Sequence, residues 1–252
     1  MPNEPDRTPT TPFERGWWSF DLSTYRPCDS TYCLFDSDRL PPLPPLDDTL
    51  SWLGPLPDAE DQQMEPRTRA PGRPIDAQDA LQLVVGEAEQ LGLTLPESFL
   101  RLMSSRALQQ HIPSCTACEF ELAYGFLPCP SSPGGYILEF LHDQQYCVVW
   151  YLYLTSGGEQ CVLASTSDLY AADDEEQGED ADLEALDEDE ERDEPADPEA
   201  LARTIRVCAP SFTAFIYRFW LENVLWSKLY HDDKTPLTLA EQSYLDHYRQ
   251  PI

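Results

Sequence analysis

YILEFLHDQQYCVVWYLYLTSGGEQCVLAS, residues 136–165, consists of three apolar segments parted by two compact polar breaks. Ile, Val, Tyr, Phe and Trp suit a pleated surface, and the absence of proline leaves every ladder donor in place. The stretch therefore reads as a three-strand antiparallel meander. Its first break is His142, Asp143, Gln144 and Gln145; its second is Ser156, Gly157, Gly158 and Glu159, where a glycine pair offers the positive φ of a short hairpin turn. In the middle segment, Tyr146, Val148, Trp150, Leu152 and Leu154 alternate with Cys147, Val149, Tyr151, Tyr153 and Thr155. Both faces are apolar or aromatic, so a central strand covered on both sides is expected, with helices supplying at least one cover.

Helical patterns flank the meander. Leu81, Val84, Val85, Ala88 and Leu91 form one stripe within residues 75–91, with Asp76 as the expected N-cap and Gly92 as the stop. Pro96 then opens a shorter helix through Phe99, Leu100, Leu102 and Met103. Residues 120–126 read as a further strand before a loop rich in proline and glycine. Downstream, SFTAFIYRFWLENVLWSKLY (residues 211–230) reads as an amphipathic helix with Phe212, Phe215, Ile216, Phe219, Trp220 and Val224 on its apolar side. It is the expected cover for the sheet. TLAE at residues 238–241 has capping-box spacing and starts a last helix through Leu245 and Tyr248. The fold class expected is α+β, an antiparallel meander sheet flanked by helices.

Two regions read as appendages to a domain over residues 75–252. Residues 1–74 carry 14 of the 24 prolines, with aromatic islands at Trp17, Trp18, Phe20 and Trp52. They read as an arm whose aromatics dock on the domain surface while the stretches between stay extended or mobile. Within it, RLPPLPP (residues 39–45) suits polyproline II geometry, either as a spacer or as a ligand for an aromatic-grooved adaptor. Residues 171–200 read as a disordered acidic insertion. Its charged part, residues 173–199, has 17 acidic residues and one arginine in 27 positions, a segment charge of −16, and too few apolar groups to offset the entropy of ordering.

The formal charge of −30 disfavours nonspecific binding to nucleic acid or an anionic membrane and favours a cationic partner. No basic start followed by an apolar run occurs, and no stretch approaches the roughly 20 apolar residues of a membrane span, so a cytoplasmic protein is expected. The eight cysteines then read mostly as small buried hydrophobes rather than as a disulfide framework.

No local motif for nucleophilic, acid–base, phosphate or dinucleotide chemistry is present, and neither an enzyme nor a cofactor is expected. The strongest chemical pattern is His111, Cys115, Cys118 and Cys129, which have the donor types of a tetrahedral zinc site, although Cys129 lacks the close companion such sites use. Buried thiols beside a surface histidine are the other reading. A redox role for Cys115 and Cys118 finds no helix N-terminus to lower a thiol pKa. His142, Asp143, Gln144 and Gln145, at a sheet end, read either as exposed partner-binding residues or as ordinary turn chemistry.

LGLTLPESFLRLM (residues 91–103), FLHDQQYCVVWYLYLTSGGEQCVLAS (140–165) and APSFTAFIYRFWLEN (209–223) together resemble the SUKH superfamily, which includes fungal cell-wall-assembly regulators and bacterial toxin-immunity proteins. They match, in order, that family's "lP.sF..f" helix entry, its acidic-polar turn before a "W.lyl" strand, and its late "SF..Fl" helix. The likeness covers roughly residues 75–230 without the insertion; the proline-rich segment and the insertion depart from it. The resemblance implies an α+β domain that binds other proteins, with neutralisation of a cognate toxin as the leading expectation, the chain's acidity favouring a basic one, and a regulatory scaffold of the cell-wall-regulator kind as the alternative; a zinc-binding protein or an unrecognised enzyme comes third.

Overall fold

The computed structural model describes residues 11–54, 77–122, 125–170, 198–231 and 235–249. A six-stranded antiparallel sheet contains β3 (Cys118–Phe120), β4 (Leu127–Pro128), β5 (Gly135–Asp143), β6 (Val149–Thr155), β7 (Gln160–Ser165) and β8 (Arg206–Ala209). Its order is β3-β5-β6-β7-β8, with β4 also paired to β5. The expected meander is thus the middle of a wider sheet. The helices are α1 (Ala77–Leu91), α2 (Glu97–Met103), α3 (Arg106–Gln110), α4 (Pro198–Thr204), α5 (Phe212–Tyr230) and α6 (Leu239–His247). The fold is α+β.

Both faces of β6 are buried, as its alternation requires. Val148, Trp150, Leu152 and Leu154 join a core with α1, α2 and α5, while Val149, Tyr151 and Tyr153 join a second one with Leu163, Leu169, Tyr170 and Val207. Tyr146 departs from the expected face because it lies in the turn, at φ 57°. In β5 the register shifts between Glu139 and Leu141, so Phe140 and Leu141 both enter the first core. A bulge inserts one residue and re-aims the side chains after it. At the second turn only Gly158, at φ +82°, uses a left-handed conformation.

The helix expected to cover the sheet has a second buried side. Phe212, Phe215, Ile216 and Phe219 of α5 meet the sheet, whereas Leu221 and Leu225 pack with Phe20, Leu22, Tyr244 and Leu245 in a third cluster. Trp220 and Val224 are only half-buried. A helix apolar over most of its circumference belongs in an interior, and α5 lies between the sheet and a layer made by residues 20–25 and α6. Ser211 caps α5 by accepting from Ala214 N–H. The capping box of α6 forms, with the Thr238 hydroxyl and Glu241 carboxylate each accepting from the other's backbone.

Several expectations are corrected. The aromatics of the proline-rich segment go deeper than a docked arm: Trp17 is 1% exposed within the main core, and Phe20, Leu22, Leu50 and Leu53 are buried. β1 (Trp17–Ser19) and β2 (Cys33–Phe35) form a two-stranded sheet, and the backbone at residues 14–16 pairs with Val207 at the edge of β8. RLPPLPP is anchored at its first proline, since Pro41 is buried and its carbonyl accepts from the Arg218 guanidinium at 2.8 Å, while Pro42, Pro44 and Pro45 are exposed. Cys28 and Cys33 are joined in a disulfide, an exception to the reading of most cysteines as small buried hydrophobes. The strand expected over residues 120–126 is instead β3 and β4, with Phe126 buried between them. β8 went unforeseen, its four residues being too few to show a period. Pro96 is the N-cap of α2 rather than its first residue. Asp76 and residues 171–197 of the insertion lie outside the described residues. Among the described residues, no helix is long and apolar enough to cross a membrane.

Candidate functional site

The turn between β5 and β6 is built from below by buried polar groups. β5 runs two residues further than the first polar break suggests, and His142 and Asp143 are 5% and 2% exposed rather than presented to a partner. The reason is hydrogen bonding. His142 Nε2 lies 3.1 Å from Glu121 Oε2 and Nδ1 lies 3.0 Å from the Asp143 carbonyl, so the ring faces an acceptor at each nitrogen. Burial by itself would lower its pKa, but the Glu121 hydrogen bond and the Asp143 carbonyl outweigh that and hold it above the usual histidine value. Asp143 Oδ1 accepts from Gln145 N–H at 2.8 Å and Cys147 N–H at 3.0 Å, which closes the loop around a carboxylate.

Only Gln144, Gln145 and Cys147 are exposed. Tyr146 is half-buried and stacks on the His142 ring with centroids 4.2 Å apart and an interplanar angle of 21°. Its left-handed backbone costs energy for a residue bearing a Cβ, and such conformations persist where the surroundings over-determine them. Two glutamine side chains and a thiol are therefore held at a sheet end by a rigid polar base. Such a surface can donate to, and accept from, a partner's backbone and side chains.

The four candidate metal ligands do not converge. Cys129 belongs to the second core, Cys118 packs against the first, Cys115 against the third, and His111 Nδ1 lies 3.3 Å from the Leu53 carbonyl. Cys129 follows β4 and lies on the face of the sheet opposite α1, α2 and α5, with Leu201 and Ala202 of α4 packed against the same cluster. Among the described residues no group of three or more His, Cys, Asp or Glu could hold a metal ion. Burial pushes the thiols of Cys115, Cys129 and Cys208 up to about 12 and raises that of Cys118, which suits small hydrophobes and not nucleophiles.

A second polar assembly lies between α5, α6 and the proline-rich segment. Glu222 is 0% exposed and accepts from Trp17 Nε1 at 2.9 Å, from Arg26 Nη1 and Nη2 at 2.6 and 2.7 Å, and from the Tyr244 and Tyr248 hydroxyls at 2.8 and 3.0 Å. Burial would raise the Glu222 pKa, yet the Arg26 charge and these hydrogen bonds hold it below the usual carboxylate range. Arg218, one turn earlier on α5, donates to Tyr244 Oη at 2.7 Å and to the Pro41 carbonyl. The sequence carries a trace of this assembly: Arg218 and Glu222 are spaced i, i+4 inside an otherwise apolar helix, where charged residues are rarely buried unless paired. Arg26 has no such local signal.

No family model, curated protein or solved structure matches the chain. The likeness to the SUKH superfamily rests on the quoted motifs, which fall on the α1–α2 junction, on β5 to β7, and on the β8–α5 corner.

Proposed function

We propose that the chain is a non-catalytic protein-binding module that presents the turn at Gln144, Gln145 and Cys147 to a basic protein partner; in the form implied by the SUKH resemblance, that partner is a toxin neutralised by binding. The observation that carries this reading is the construction of the turn. Buried His142 and Asp143, with half-buried Glu121, hold a left-handed Tyr146 and leave exposed hydrogen-bonding side chains beside it, a definition of geometry that a mere connection between strands does not need. The formal charge of −30 complements a basic surface and speeds the encounter with one.

The test is affinity capture of the partner with the full chain, followed by binding kinetics with Gln144→Lys/Gln145→Lys. Both residues are exposed, so stability should stay within about 0.5 kcal/mol of the parent. Dissociation of the captured partner should quicken, because the turn is placed at the contact and not at its rim. Kinetics identical to the parent would remove the turn from the interface.

A further inference from the structure

The proline-rich strap and the β8–α5 corner enclose a cavity of about 160 Å³, lined among others by Arg15, Leu40, Pro41, Pro210, Ala214 and Arg218. Its lining holds two arginines and no carboxylate, in a chain with 46 acidic residues and a formal charge of −30. Arg15 pairs with Asp38, which is not part of the lining, at 3.3 Å. Arg218 is 8% exposed and its two hydrogen-bond acceptors, Tyr244 Oη and the Pro41 carbonyl, are both neutral. A guanidinium has five N–H donors, so these two bonds leave it with donors to spare.

Charge balance points the same way. The buried assembly contains two guanidiniums, Arg26 and Arg218, and one carboxylate, Glu222, which Arg26 engages through both of its terminal nitrogens. Arg218 makes no direct hydrogen bond to Glu222 and reaches it through the Tyr244 hydroxyl, which accepts from Arg218 and donates to the carboxylate. Among the described residues, one positive charge is therefore left without a counterion of its own, and a buried charge is costly unless it is paired. In this assembly the excess charge belongs to the residue that faces the cavity.

We propose that the cavity is a binding site for a small aliphatic monocarboxylate, with its carboxylate on the Arg218 guanidinium and its carbon chain against Leu40, Pro41 and Ala214. The volume equals about five water molecules at roughly 30 Å³ each, which fits a carboxylate carrying two or three carbons and falls well below ordinary drug-sized sites. One negative charge balances the assembly. A dianion such as phosphate would overshoot it.

The same chemistry has two sources, a free short-chain acid or the C-terminal carboxylate of a peptide. The experiment titrates the full chain with propionate, butyrate and N-acetyl-Ala-Leu, and with chloride and phosphate at matched ionic strength, following melting temperature and methyl-region NMR spectra. A saturable rise in melting temperature with at least one carboxylate, absent with chloride and phosphate, is expected. The tighter of the free acids and the peptide identifies the source. Arg218→Met should weaken binding about tenfold or more, the loss expected for a charge-assisted hydrogen bond. Arg218 also holds Pro41 and Tyr244, so that variant can lose the fold. Ala214→Leu, which fills the cavity from α5 and keeps both arginines, is the control: it should fold and no longer respond. No response to any carboxylate, an equal response to chloride or phosphate, or an undiminished response in Ala214→Leu would overturn the proposal.

Discussion

Replacing Glu222 with glutamine keeps the volume of the side chain and removes its charge. The carboxylate receives donors on both oxygens: Arg26 Nη1, Tyr244 and Tyr248 on Oε1, and Trp17 Nε1 and Arg26 Nη2 on Oε2. Whichever position the amide NH₂ takes, a donor faces donors, and Arg26, 3% exposed, keeps its charge without a counterion. Breaking a buried pair by removing one partner costs about 3 to 5 kcal/mol, against a total stability of about 5 to 15 kcal/mol for a domain. Urea unfolding at pH 7 should show a loss of that size with the dependence on denaturant unchanged. Arg26→Met/Glu222→Leu should lose less than Glu222→Gln, because an apolar pair leaves no orphaned charge. The pH dependence follows from the depressed Glu222 pKa: its contribution is present above the unfolded carboxylate value of 4.5 and is lost as pH falls through the folded value below it. Parent stability should therefore drop on acidification through that window, and the variant should drop less. A loss under about 1 kcal/mol at pH 7 would refute the reasoning, and with it the role of Glu222 in tying Trp17 and Arg26 to α5.

Trp150, 1% exposed and packed against Tyr32, Phe215 and Phe219, should cost about 3 to 5 kcal/mol when changed to alanine; unchanged thermal unfolding would contradict its central place. Cys28→Ala/Cys33→Ala opens a disulfide with a sequence separation of 5 and should lower stability by about 2 kcal/mol on the chain-entropy estimate, and a reductant should do the same to the parent but not to the variant. His142 has a raised pKa, so its contribution to stability is fully present below 6.5 and is lost as pH rises through the folded value; denaturation of His142→Phe should lack that alkaline decline, and NMR titration of the imidazole should place its midpoint above 6.5. Deleting residues 173–197, which leaves α4 intact, takes the formal charge from −30 to −15 and should slow association with a basic partner while leaving dissociation nearly unchanged, as stopped-flow measurements at several salt concentrations would show.

The sheet was legible because β6 carries apolar or aromatic residues on both alternating faces from Val149 to Leu154, a pattern that is satisfied only when both faces are covered. The α6 capping box and the Gly92 stop at the end of α1, at φ +67°, were legible for a similar reason: each is a contract between residues a few positions apart. The tertiary structure decided what depends on distant partners. Prolines spaced along residues 11–54 look like an arm in sequence, yet Trp17 and Arg26 are buried because Glu222, 205 and 196 residues away, offers them a carboxylate. His142 and Asp143 look like turn residues, and Glu121 and the turn's own N–H groups draw them into the sheet. The cysteines His111 seemed to join are divided among three clusters, Cys118 against the first, Cys129 in the second and Cys115 against the third, and only the assembled layers decide which cluster each segment meets. Local periodicity determines which segments become strands and helices. Which charges are buried, and against what, is set by contacts that no sequence spacing records.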